Sequence, residues 1–171
     1  EARIEKVVKY IPIMNYYKIT TDCNKEYFAE KIYDSINIKE KKHELIQHFF
    51  GINIITEKKK FDDTKLTLMH FTKESNLLHF IYLLPFSENQ ALVESTIFSK
   101  EVCNEDWYRK RIHEFLKKNN IGKYQEISNE KGVIPMFFNE EETSKDPKII
   151  NIGIRGGACK PSTGYAFSFL I

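Results

Sequence analysis

Apolar positions along the chain follow two different periods, and the switch between them marks the elements. The runs "QHFFGINIIT", Gln47 to Thr56, and "KLTLMHF", Lys65 to Phe71, alternate or stay apolar over strand length. A charged stretch containing Asp62 and Asp63 separates them. "LLHFIYLLPFS", Leu77 to Ser87, and "ALVESTIFS", Ala91 to Ser99, are joined by polar "ENQ", which predicts a β-hairpin. In "NEDWYRKRIHEFLKKNN", Asn104 to Asn120, the period becomes helical, with Tyr108, Ile112, Phe115 and Leu116 on one face. Acids open this helix and lysines close it, as the helix dipole favours, and Gly122 is its expected stop. A short strand around Tyr124 to Ile127, a turn at "SNEKG" and the run "VIPMFF" follow. "NEEETSKDP", Asn139 to Pro147, reads as an exposed loop before a last strand, "KIINIGI". The expected class is α/β, in the sense of mixed α and β.

Composition limits the function more than it defines it. With 171 residues, 42% hydrophobic and 13% aromatic, the chain can bury the core of one ordinary domain. Lys and Arg number 26 against 24 acids, a net charge of +2, so no global field argues for a nucleic-acid partner. The clusters "KEKK" (Lys39 to Lys42) and "EKKK" (Glu57 to Lys60) read as solvated surface, with an anionic membrane surface as the other reading. Cys23, Cys103 and Cys159 are far apart and lack metal-ligand spacing, which fits a reducing, cytoplasmic setting. No run approaches the roughly 20 apolar residues that span a bilayer. The chain starts at Glu1 rather than methionine, so an upstream portion is expected.

Several chemistries are absent from the pattern. The sequence holds no G-x-S-x-G elbow, no G-x-x-x-x-G-K-[ST] loop and no G-x-G-x-x-G fingerprint. His43, His48, His70, His79 and His113 show no ligand spacing and read as satisfied or surface imidazoles, and no metal site is expected. Trp107 reads as core.

Two segments stand out. In the second hairpin strand, Leu92, Glu94, Thr96 and Phe98 share one face and Ala91, Val93, Ser95 and Ile97 the other. Neither face is polar enough for plain exposure, so the Glu94 carboxyl must be paired, protonated or facing a cavity. A protonated Glu94 suits an acid catalyst; a lysine partner at a sheet edge is the alternative. Near the end, Gly153, Gly156, Gly157 and Gly164 are four of the seven glycines, and Pro161 precedes Ser162 and Thr163. This reads as a loop feeding a helix whose N-terminus can hold an anion, or as a turn with no ligand.

The stretch "FIYLLPFSENQALVESTIFS" resembles the central motif of flavin-dependent lycopene cyclases of the bacterial and plant type: a Leu-Pro-(Phe/Leu)-Ser turn followed by an (F/L)-x-E-x-T core, here Leu92 to Thr96. "YDSI" at Tyr33, "LIQHFFGINIIT" at Leu45, "GVIPMF" at Gly132 and "INIGIRGGACKPSTGYAF" at Ile150 follow the family order. His70 stands where the family pattern has an aspartate.

The resemblance implies proton-initiated closure of the ψ ends of lycopene, or a related linear carotene, to β- or ε-ionone rings, without net redox change and with Glu94 as the acid. It implies a glutathione-reductase-like FAD flavoprotein fold lacking its N-terminal Rossmann βαβ unit. Residues 1–147 would form the substrate-binding sheet and helix, and 148–171 the closing strand, loop and helix of the FAD-binding fold. Reduced FAD is the implied cofactor, stabilising the carbocation, with NAD(P)H as its reductant. Gly156, Gly157, Pro161, Ser162, Thr163 and Gly164 are the implied cofactor-binding residues. The carotene substrate implies peripheral association with a membrane. A monooxygenase of the same flavin fold and a non-catalytic carotenoid- or lipid-binding module are the other classes left open.

Overall fold

The computed structural model describes residues 5–35, 44–73, 77–136 and 146–166, and the chain divides into two compact units. One unit comprises residues 1–39, 138–160 and 165–171; the other comprises 40–137 and 161–164.

The first unit begins with an antiparallel meander of β1 (Val7–Ile13), β2 (Tyr16–Thr21) and β3 (Glu26–Ala29). Met14 at φ 51° and Asn24 at φ 57° take the left-handed turn positions between these strands, which asparagine tolerates better than most residues. Glu5 ties the meander together, accepting from Thr21 Oγ1, Lys25 Nζ and Tyr27 Oη at 2.8 to 3.1 Å. The short strand β4 (Ile32–Asp34) follows.

The second unit is a five-stranded antiparallel sheet crossed by one helix. Its strands are β5 (Ile46–Ile55), β6 (Thr67–Phe71), β7 (Leu78–Ser87), β8 (Gln90–Ser99) and β9 (Gln125–Pro135), in the order β6-β7-β8-β5-β9. Glu88 and Asn89 form the two-residue turn between β7 and β8, and the register slips between Pro85 and Ser87. Helix α1 (Glu105–Lys118) packs Tyr108, Ile112, Phe115 and Leu116 onto Phe50, Ile52, Ile54, Ile81, Ala91, Val93 and Ile97. These four helix residues are the apolar stripe expected from the period. Asn104 caps the helix, its Oδ1 accepting from Trp107 N–H at 2.9 Å. Arg109 fastens it to β9 with paired bonds of 2.8 and 3.2 Å to Glu126, while its guanidinium lies 4.7 Å over the Phe50 ring.

Two expectations are corrected in this unit. The helix stop is Asn120 rather than Gly122: Asn120 sits at φ 57°, and Ile121 N–H bonds Leu116 O while Asn120 N–H bonds Lys117 O. That is a Schellman ending, in which asparagine supplies the left-handed residue glycine usually provides. The expected turn at "SNEKG" is instead continuous strand. β9 pairs with β5 from Gln125 to Pro135, with one bulge that leaves Ile127 as the extra residue. Ser128 to Lys131 read as a turn because they are polar, yet they lie on an edge strand, where exposed polar side chains carry no desolvation cost.

The chain then returns to the first unit, where β10 (Ile149–Asn151) pairs in parallel with β4. Ile152 N–H extends the ladder to Asp34 O, and the glycine-bearing turns of 153–157 follow, with Gly153 at φ 60° and Gly157 at φ 80°. Residues 139–145 of the expected loop lie outside the described residues. Pro161 to Thr163 form a turn; the helix expected after them falls on 167–171, also outside the described residues. The result is a mixed α and β chain much richer in strand than in helix.

Candidate functional site

Helix α1 covers one face of the five-stranded sheet, and Glu94 is on the other. β8 alternates as its sequence implies, sending Ala91, Val93, Ser95 and Ile97 to the helix and Leu92, Glu94, Thr96 and Phe98 to the other side. In register, Glu94 stands between Tyr82 of β7 and Gly51 of β5. Phe80, fully buried, makes ring contacts with Phe71, Tyr82 and Phe98 at centroid distances of 5.2 to 6.1 Å. The carboxyl therefore sits beside an aromatic slab, with no lysine at hydrogen-bonding distance among the described residues.

Glu94 is half-buried, and desolvation pushes its pKa up to about 7. The Glu130 carboxyl, within hydrogen-bonding reach, adds to the rise through like charge and a shared hydrogen bond. Thr96 Oγ1 donates to Glu94 Oε1 at 2.6 Å and opposes it in part. Because Oε1 is already an acceptor, the acidic proton belongs on the other oxygen.

Glu130 was hidden from sequence reading by the supposed turn. Read as strand, "NEKGVIP" places Glu130, Gly132 and Ile134 on one face by simple alternation. Gly51 is the second missed residue. It pairs with Glu94 on one side and Glu130 on the other, so the two carboxyls meet across a position with no side chain. A Cβ there would stand 3.3 Å from Glu130 Cγ and 3.4 Å from Glu94 Cβ.

The histidines belong elsewhere. His48 is bonded to Tyr108 Oη through Nδ1 and to Ser99 Oγ at 2.7 Å through Nε2, and burial lowers its pKa. His79 lies 2.5 Å from Thr72 Oγ1 and 2.8 Å from Ser95 Oγ. His70 rests against the Phe115 ring, on the helix side of the sheet. Among the described residues no cluster of histidine, cysteine and acids could hold a metal ion.

The glycine-rich segment divides. Gly156 and Gly157 lie in the first unit, Pro161 to Gly164 in the second. Gly156 is required by its own turn: a Cβ would stand 2.5 Å from Asn151 O. Gly157, at φ 80°, has nothing within 4 Å of that position. In the second unit, Gly164 at φ 69° packs on Gln47, whose buried Oε1 has no hydrogen-bond partner among the described residues. Within the second unit, an orphaned acceptor beside the Pro161–Gly164 turn fits a polar ligand such as a flavin, although the G-x-G-x-x-G half of a dinucleotide site is not in this sequence.

A family model described as lycopene cyclase protein matches residues 1–169. The chain belongs to the lycopene cyclase family. A lycopene beta-cyclase of Paracoccus sp. (strain N81106 / MBIC 01143) is 22% identical over 170 residues, covering 93% of this chain and 43% of the relative. In structure, a geranylgeranyl bacteriochlorophyll reductase-like protein from Thermoplasma acidophilum superposes with a TM-score of 0.64 at 16% identity, over 93% of this chain and 43% of its own. The tetracycline destructase Tet(51) reaches a TM-score of 0.46 at 7% identity, over 89% of this chain and 46% of its own. The chain thus spans less than half the length of each of these proteins. The Thermoplasma likeness shows a shared fold over the matched part of each chain. Among the described residues no helix is long and apolar enough to cross a membrane.

Proposed function

We propose that this chain is the substrate-side part of a lycopene cyclase and that Glu94 is its acid. The observation that carries the reading is the environment of Glu94. A half-buried carboxyl with a pKa near 7 stands beside aromatic rings, in a chain of the lycopene cyclase family. At neutral pH a large fraction of it keeps its proton, as an acid catalyst requires.

Protonation of a terminal double bond of the ψ end forms one C–H bond and leaves a tertiary cation, while Glu94 becomes a carboxylate. The neighbouring double bond closes a six-membered ring on that cation, and loss of a ring proton restores neutrality without net oxidation. Thr96 holds Oε1 by its hydroxyl and so orients the acidic oxygen. The faces of Phe80, Tyr82 and Phe98 exclude water and favour a cation near them. The Pro161–Gly164 turn, with Gln47, holds the residues of the second unit that we assign to a flavin, which when bound and reduced would supply negative charge that stabilises the cation. Because carotenes partition into bilayers, this reading puts the protein at a membrane surface.

The test is expression of the complete gene in lycopene-accumulating bacteria, wild type beside Glu94→Gln, with pigment chromatography. Ring-bearing carotenes in the first and lycopene alone in the second are expected. Equal cyclisation by both removes Glu94 from the acid role. Flavin released on denaturing the purified protein checks the cofactor assignment, and its absence ends it. Recovery of the protein without lipid in the soluble fraction would count against the membrane.

A further inference from the structure

We propose that Glu130 is the proton-supply partner of Glu94, a positioning residue that reloads the acid from water at the sheet edge after each turnover. This rests on the reading of Glu94 as the acid.

The register carries the argument. Glu94 and Glu130 are on strands two apart, where side chains would ordinarily stand roughly 10 Å from one another. Both pair with Gly51, and the empty place above it lets them lean together. Strand glycines weaken a sheet, so one between two acids points to the approach it permits.

The neighbours favour one shared proton rather than two ionised acids. On this face β5 contributes Phe49, Gly51 and Asn53, β7 contributes Tyr82, and β8 contributes Leu92 and Thr96. The titratable groups facing Glu94 there are Tyr82 and Glu130, and no cation is among these residues. Two carboxyls so placed hold a proton between them, as paired acids do in proteases.

A path to water is present on the Glu130 side. That residue is exposed on the edge strand and lines a cavity of about 100 Å³ with Asn53, Phe86, Leu92, Ser128 and Asn129. Such a space admits several waters at roughly 10–15 Å³ each, with Asn53, Ser128 and Asn129 as polar partners. After Glu94 has given the shared proton to carbon, both groups are carboxylates. Glu130, on the water side, takes a proton from hydronium and passes it to Glu94, and the proton lost from the ring returns to solvent. No electrons move, and the protons balance.

The experiment uses protein from the complete gene, carrying Glu130→Gln or Glu130→Ala, with lycopene as substrate. Expected are a fall in kcat of about tenfold or more at unchanged KM, an alkaline limb displaced to lower pH in Glu130→Gln, and recovery of Glu130→Ala by added formate. Wild-type turnover with an unmoved pH profile would overturn the proposal. So would a loss that formate does not restore and that leaves the pH profile in place. Glu94→Gln, assayed in parallel, separates the two claims. Indifference at Glu94 defeats the acid reading itself, whereas loss at Glu94 with indifference at Glu130 defeats only the relay.

Discussion

The two faces of the five-stranded sheet treat polar groups in opposite ways. Under the helix, His48 and His79 are entirely buried, yet each ring nitrogen meets a neutral hydroxyl. Burial there is compensated group by group, which is what a structural polar network requires. On the opposite face, Glu94 receives one hydroxyl bond and has another carboxyl for a neighbour. Its environment opposes ionisation instead of neutralising it. On the proposed reading, the contrast separates residues that hold the fold from residues held ready for chemistry, although both kinds are polar and both sit in the same sheet.

The largest effect expected is on the helix side. Leu116 is completely buried in the cluster beneath α1, and Leu116→Ala should cost about 3–5 kcal/mol in chemical denaturation. Turnover per folded molecule should stay the same. A stable variant with impaired turnover would break the division between the faces.

Next comes a pH-dependent stability on the Glu94 side. The folded pKa of Glu94 lies above its unfolded value, so the native state binds the extra proton between about pH 4.5 and 7. Stability is therefore unaffected below that window, falls as pH rises through it, and stays reduced above it. Glu94→Gln escapes the loss and keeps an acceptor for Thr96. It should be more stable than wild type by about 2–3 kcal/mol at pH 8 and nearly equal at pH 4. Equal stability at both pH values would show that the carboxyl is not held neutral by its surroundings.

Tyr108→Phe should be milder, about 1–2 kcal/mol, because it leaves His48 Nδ1 buried without its partner. The pH dependence of cyclisation should not move, since His48 faces away from Glu94. A displaced pH profile would mean that the two faces are coupled.

How much of this was legible depended on whether a residue's neighbours lay close in sequence. The helix stripe of Tyr108, Ile112, Phe115 and Leu116, the β7–β8 hairpin and the side on which Glu94 points all follow from local periodicity. The meander of β1 to β3 gave no comparable signal, since most side chains of β1 are exposed and its apolar residues do not alternate. β9 was divided because its polar middle resembles a turn, and only pairing with β5 across the intervening chain makes it a strand. Glu130 was lost with it. Glu94 could be singled out as an anomaly, but its partner is brought by a glycine 43 positions earlier, a relation that no window of sequence contains.

That glycine supplies the smallest and most selective perturbation. At Gly51 the backbone is ordinary strand, so alanine is not strained there, and its methyl would meet Leu92 Cδ1 at 3.2 Å, Glu130 Cγ at 3.3 Å and Glu94 Cβ at 3.4 Å. All three are side-chain atoms, two of them on flexible arms, that can yield by a few tenths of an ångström. The crowding is offset by the roughly 0.5–1 kcal/mol that alanine gains over glycine within a strand, so the melting temperature should barely change. The carboxyls, however, must part. Separation removes the like charge that helps keep Glu94 protonated, and the alkaline limb of the cyclisation profile should move to lower pH in Gly51→Ala as it does in Glu130→Gln. If Gly51→Ala melts and titrates like wild type, the glycine serves sheet packing alone and the pair does not depend on it.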